Sequence, residues 1–255
     1  MRRIIYAGDS TVTFNRIATY PQTGLSQGLL LYVKEDVFVR SFAINGRSTK
    51  SFIAQGRLAQ VDAYLEEGDV LLIQFGHNDE KQADPLRYAD PYGEYTDNLR
   101  LFIETARRHG ALPVLVTSLA RRLFDPQTGR FLPGSHGDYP DAVRRLAAAE
   151  QVPCIDLTAA SEQYLAAVGD FASRALYVYP ADNSHLSVHG AAVYAGFIAD
   201  GLRALGGTYA DLLVARDAED VDADARASVY PYMEFSSSGQ GWEQQKEAIE
   251  KSEKE

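Results

Sequence analysis

A serine, a histidine and an aspartate can together make a nucleophile, and this sequence offers such a set at widely separated points. Ser10 stands in IIYAGDSTVTF, just after a run of strand formers, Ile4 to Ala7, that halts at Gly8. A serine hydroxyl is a weak nucleophile and needs a base; imidazole suits the task because its pKa lies near neutrality. ADNSHLSVHGA supplies Asp182 three residues before His185. On one turn that carboxylate can hold one ring nitrogen, fix the tautomer and stabilise the cation formed on proton transfer, leaving the other nitrogen for Ser10. A tetrahedral oxyanion then needs preorganised donors. The backbone N–H of Ser10, expected at a helix start, is one. Gly46, in Asn45-Gly46-Arg47-Ser48, offers a second, because a residue without a side chain can be approached closely. The amide of Asn78, in Gly76-His77-Asn78-Asp79, is the third. Asp9 and Arg47 flank these groups and are expected to support them.

The elements that must position these residues are legible as five short apolar runs: 2–8, 37–44, 69–76, 111–118 and 151–157. Runs such as VLLIQF and PVLVTS lack clean alternation, as expected for strands buried on both faces of a parallel sheet. Helical patterns lie between them, over 24–35, 56–67, 94–110 and 138–151, and a last one over 187–205. The third places Leu99, Phe102, Ile103 and Ala106 on one face and stops at Arg107, Arg108, His109 and Gly110, a cationic end followed by glycine. This rhythm predicts a three-layer α/β/α sandwich with right-handed crossovers. Three consecutive strands then deliver small polar loops to one edge of the sheet, where ligands of such folds bind.

GDST, NGRS, GHND and DNSH occur in the order and spacing of the four blocks of the SGNH (GDSL-type) hydrolases, which the chain resembles over about residues 3–205. GDST, NGRST and QFGHND resemble more narrowly the rhamnogalacturonan acetylesterase-like branch. The resemblance implies a flavodoxin-like five-stranded parallel sheet and no cofactor. It implies Ser10 as nucleophile, His185 as base with Asp182 as its partner, and Gly46 and Asn78 as oxyanion donors alongside the Ser10 amide. The expected activity is a serine esterase acting on a small acetylated saccharide, of the plant-cell-wall pectin type. Two rivals remain: a thioesterase or lysophospholipase on the same machinery, and a non-catalytic carbohydrate-binding protein on the same fold.

Each candidate also has a bland reading. Ser10 alone would suit a helix cap, Asn45-Gly46 a simple turn, and Asn78 a loop amide. His77 and Asp79 read as structural, and His136 as a solvated loop histidine. His185 and His189 stand four apart, a metal-helix spacing, but Leu186 occupies the place where a zinc-peptidase helix carries glutamate. No metal is expected. Tyr88, Tyr92 and Tyr95 could stack on sugar rings or form a hydrophobic cap.

The chain has 255 residues, 45% hydrophobic and 24% charged, with a net charge of −10. Eleven acidic and four basic residues fall between Asp217 and Glu255, so the charge is concentrated there. The organisation expected is a catalytic domain over 1–215 and an acidic extension over 216–255, partly disordered or docked on a partner. No basic stripe exists to bind phosphate backbones, so nucleic acid is not an expected partner. Neither is a membrane, since no run nears the ~18 apolar residues of a span. Whether the chain forms a homo-oligomer is left open. Cys154 is the single cysteine, which excludes an internal disulfide and favours a cytoplasmic location.

Overall fold

The first strand, β1 (Arg2–Gly8), buries both of its faces: Ile4 and Tyr6 pack on one side of the sheet, Ile5 and Ala7 on the other. This computed structural model describes residues 2–215; the extension expected over 216–255 lies outside the described residues. Four further strands follow, β2 (Val37–Ser41), β3 (Val70–Gln74), β4 (Leu112–Val116) and β5 (Cys154–Ile155), all parallel and in the order β2-β1-β3-β4-β5. In the register, Ile4 lies between Val39 and Val70. The predicted runs overreach the strands at their carboxyl ends, because those residues leave the ladder to build loops.

Among the described residues, eight α-helices cover the sheet: α1 (Leu25–Gly28), α2 (Thr49–Ala54), α3 (Arg57–Asp62), α4 (Glu94–Arg108), α5 (Tyr139–Glu150), α6 (Leu157–Ser173), α7 (Val188–Leu205) and α8 (Gly207–Ala210). Residues of α1, α6 and α7 join Ile4, Tyr6 and Leu72 in one core; α2 to α5 join Ile5, Leu71 and Ile73 in the other. The three layers are those expected from the sequence. Leu99, Phe102, Ile103 and Ala106 are buried as read. Truncating a fully buried ring such as Phe102 costs roughly 3–5 kcal/mol, so these positions hold the layers together.

Three local expectations needed correction. The helix expected over 24–35 is only one α-turn followed by a 3-10 turn, Leu29–Leu31, leaving Leu30 and Leu31 partly exposed. The helix expected over 56–67 stops at Asp62, and a separate α2 precedes it across Gly56. The 17-residue α6 was not anticipated at all.

Strand order reverses beside β1: the chain passes to β2 on one side, then returns to β3 on the other. The loops after β1, β2 and β3 therefore meet at this switch point, with the loop bearing Ser10 in the middle. In doubly wound sheets this is where ligands bind.

Candidate active site

Gly8 ends β1 in close quarters: a Cβ there would lie 2.7 Å from the Gln74 carbonyl and 2.8 Å from a Val12 methyl. The chain then turns rather than entering a helix. Val12 and Thr13 N–H both donate to the Asp9 carbonyl at 3.1 Å, and the Asp9 side chain accepts from Thr11 N–H and Oγ1 at 2.9 and 2.8 Å. Ser10 therefore does not sit at a helix start, contrary to expectation. A tight turn capped by Asp9 presents it instead.

A buried polar chain fixes that turn from beneath. Tyr6 donates to Gln74 Oε1 at 2.5 Å, Gln74 Nε2 to Thr11 Oγ1 at 3.3 Å, and Thr11 to Asp9. Asp9 Oδ2 stands 3.4 Å from His77 Nδ1. Burial works to raise the Asp9 pKa, but His77 and the Thr11 hydrogen bonds bring it below the usual carboxylate value. For His77, burial dominates, seconded by neighbouring His136, and lowers its pKa to about 4.

At the amino-terminal side of α7, Asp182 accepts from Ser184 N–H at 2.5 Å and from His185 N–H at 2.7 Å through Oδ1. Its other oxygen lies 2.7 Å from His185 Nδ1. These contacts outweigh burial and hold the Asp182 carboxyl well below its ordinary range. The loop is pinned by Val178 N–H on the His185 carbonyl and Arg122 N–H on that of Asn183. With Nδ1–H donating to the carboxylate, Nε2 faces Ser10 Oγ at 2.9 Å. That is the reach a general base requires. Ser10, His185 and Asp182 thus form one continuous hydrogen-bonded line.

Gly46 has φ of 73°, a left-handed conformation that glycine adopts without steric penalty. Arg47 braces the turn by donating through Nη1 to the Asn45 carbonyl at 3.0 Å and through Nε to Gln55 at 2.9 Å. Burial, then the neighbouring guanidinium groups of Arg57 and Arg87, lower its pKa. Asn78 Nδ2 donates to the Arg47 carbonyl at 3.3 Å, and Arg87 Nη1 donates to Asn78 Oδ1 at 3.3 Å. An acceptor on one end and a donor on the other set which way the amide points. Asp79 ties the same two loops together, its Oδ1 accepting from Thr49 N–H at 2.9 Å and from Thr49 Oγ1 at 2.5 Å. Its complete burial pushes its pKa up to about 8.

The seven site residues expected from sequence therefore occupy adjoining loops at one edge of the sheet, all but Asp182 buried. The chemistry this arrangement allows is acyl transfer: a hydroxyl aimed by a carboxylate-held imidazole, with amide donors on the flanking loops.

The GDSL-like lipase/acylhydrolase family model matches residues 6–193. This chain belongs to that family. It is a carboxylic ester hydrolase, with the five-stranded parallel sheet of the family's fold. The chain is 40% identical over 230 residues to the rhamnogalacturonan acetylesterase RhgT of Bacillus subtilis, covering 86% of this chain and 97% of the relative. It is 37% identical over 212 residues to the probable rhamnogalacturonan acetylesterase YesY of the same organism, covering 80% and 93%. The solved structure of Bacillus subtilis YxiM superposes with a TM-score of 0.72 at 27% identity, covering 80% of this chain and 57% of that one.

Several neighbours of the site differ from the sequence reading. His136 is not a solvated loop residue. It is 1% exposed, with Nε2 2.7 Å from the Leu119 carbonyl and Nδ1 3.0 Å from Glu80 Oε2. Backbone and carboxylate acceptors provide the partners that burial demands. The three tyrosines separate: Tyr95 is core, Tyr92 is exposed and bonds Asp141, and Tyr88 lines a cavity. Gln74, Thr11 and Arg87 were missed. Gln74 carried a signal, a polar residue inside an otherwise apolar strand; Arg87 carried none. Among the described residues no cluster of metal-ligating side chains occurs, and no helix is long and apolar enough to cross a membrane.

Proposed function

We propose that this chain is a serine esterase that removes acetyl groups from acetylated plant-cell-wall oligosaccharides of the pectin, rhamnogalacturonan type. The observation that carries it is the line from Asp182 through His185 to Ser10, at 2.7 and 2.9 Å. The names of RhgT and YesY support the substrate class. His185 takes the Ser10 proton as Oγ attacks the acetyl carbonyl. The Ser10 and Gly46 amides and Asn78 hold the tetrahedral oxyanion, and the sugar hydroxyl departs with the proton from His185. Water, activated by the same imidazole, then releases acetate from the acetyl-enzyme.

The test is acetate release from acetylated pectin-type and xylan-type oligosaccharides by wild type and Ser10→Ala, beside p-nitrophenyl esters of acetate and octanoate. Preferred release from the pectin-type substrate, abolished by Ser10→Ala, is expected. Preference for octanoate would replace this reading with an acyl-chain esterase. Equal, negligible rates for both proteins would leave a binding protein.

A further inference from the structure

Beside the Asn78 loop lies a cavity of about 430 Å³, within the size range of small-molecule sites. Its walls include Glu80, Gln82, Tyr88, Ser135, His136 and Asp138. Two chain adjacencies and one ring contact place it against the Asn78 loop. Glu80 follows Asn78 by two residues; Tyr88 follows Arg87, which bonds Asn78; and the His136 ring meets His77 edge-on, centroids 4.4 Å apart.

We propose that this cavity is a subsite for a neutral sugar unit adjoining the acetylated one. The proposal rests on the carbohydrate reading above and deepens it. Glu80 is held in place, bonded to Arg121 through Oε1 and to His136 through Oε2. A carboxylate fixed in this way needs no rearrangement to accept a hydroxyl hydrogen. Burial works against its ionisation, yet His136 and Arg121 keep its pKa below the ordinary value. Asp138 adds a second carboxylate, Gln82 an amide, and Tyr88 a half-buried ring face.

The composition of the walls selects the occupant. No lysine or arginine lines the cavity, and although Arg121 compensates Glu80 from behind, Asp138 presents a second carboxylate, so an anionic sugar finds no cation on the walls and meets like charge at Asp138. A hydrocarbon chain would strip water from Glu80 and Asp138 without replacing its hydrogen bonds, which is costly. A neutral sugar gives both carboxylates hydroxyl donors and lays its ring on Tyr88. Contact with a sugar unit that does not itself react strengthens ground state and transition state alike, so it acts through KM.

Two variants test this without touching the groups at the ester: Tyr88→Ala, which removes the ring, and Gln82→Trp, which fills the cavity from its exposed rim. For each, acetate release is measured on acetylated pectin-type oligosaccharides and on p-nitrophenyl acetate, which has no sugar to place there. The expected result is a rise of about tenfold in oligosaccharide KM with kcat within about twofold, so that the preference for oligosaccharide over p-nitrophenyl acetate falls about tenfold. An unchanged KM in both variants overturns the subsite while leaving the esterase reading intact. So does an equal loss on both substrates, which would mark the residues as structural. A wild type that cleaves p-nitrophenyl acetate but no acetylated oligosaccharide overturns the carbohydrate reading, and the subsite with it.

Discussion

Arg87 Nη1 donates to the side-chain oxygen of Asn78 at 3.3 Å, and thereby turns the amide nitrogen away from itself, towards the Arg47 carbonyl. Arg87 is in turn held by Asp84, 2.5 Å from its Nε. The amide is thus oriented by Arg87 from farther along its own loop and by the Arg47 carbonyl from the neighbouring one. Removing the Asn78 amide altogether, as Asn78→Ala, should lower kcat by on the order of 10²–10³, the loss typical of one oxyanion donor. Arg87→Met leaves the donor present but unguided and should cost kcat less, about tenfold, with KM little changed. Steady-state kinetics on p-nitrophenyl acetate measure both; a wild-type kcat in Asn78→Ala would take Asn78 out of the mechanism.

Asp182 fixes the tautomer of His185, so Asp182→Asn should be more damaging than its size suggests. An amide presents no second acceptor of equal strength to Nδ1–H, and the imidazolium formed during the reaction loses its counter-charge. By analogy with other serine triads, kcat should fall by about 10⁴ while the protein stays folded. Circular dichroism together with turnover separates this outcome from unfolding. His189→Ala, in contrast, should keep near wild-type turnover.

Asp79 offers a stability test with a definite sign. Its folded pKa of about 8 lies above that of the unfolded chain. The stability tied to its neutral form is complete at pH values below the unfolded carboxylate pKa. It is lost progressively as pH rises towards 8, where the folded state also ionises. Asp79→Asn keeps the acceptor for Thr49 and cannot ionise. The difference in melting temperature, variant minus wild type, should therefore grow from pH 4 to pH 8. A flat difference would show that Asp79 ionises normally.

His77 should produce the opposite slope. Its pKa of about 4 lies below the unfolded value, so stability is complete above about pH 6.5 and falls as pH drops towards 4. His77→Gln should unfold with a shallower acid dependence than wild type over that window, read by urea titration at pH 4.5, 5.5 and 6.5.

The sheet and its catalytic loops were legible because they depend on local signals: uninterrupted apolar runs, then glycine beside small polar residues. Elements that depend on distant partners were not. Helix α6 does turn Leu157, Tyr164 and Leu165 to the core, but the polar Thr158 and Ser161 and the small alanines between them break the stripe. Its inner face carries Thr158, whose hydroxyl donates to the Ser118 carbonyl at 2.5 Å, and Ser161, whose Oγ accepts from Ala120 N–H at 3.0 Å. Side chain to backbone bonds thus add to its apolar contacts in holding it down. His136 reads as a loop residue because nothing beside it announces Glu80 or the Leu119 carbonyl. Ser10, Asp182 and His185 could be paired from sequence because a nucleophile, a base and an orienting acid are each chemically required.

The order of these parts along the chain also has a consequence for biosynthesis. The proposed nucleophile, Ser10, leaves the ribosome before its proposed base, which is encoded 175 residues later, on the loop leading into α7. A growing chain therefore carries a serine with nothing to activate it. On the proposed mechanism, esterase activity is gained only once the loop carrying His185 has been made, and a polypeptide released before residue 185 is silent however well its sheet has formed.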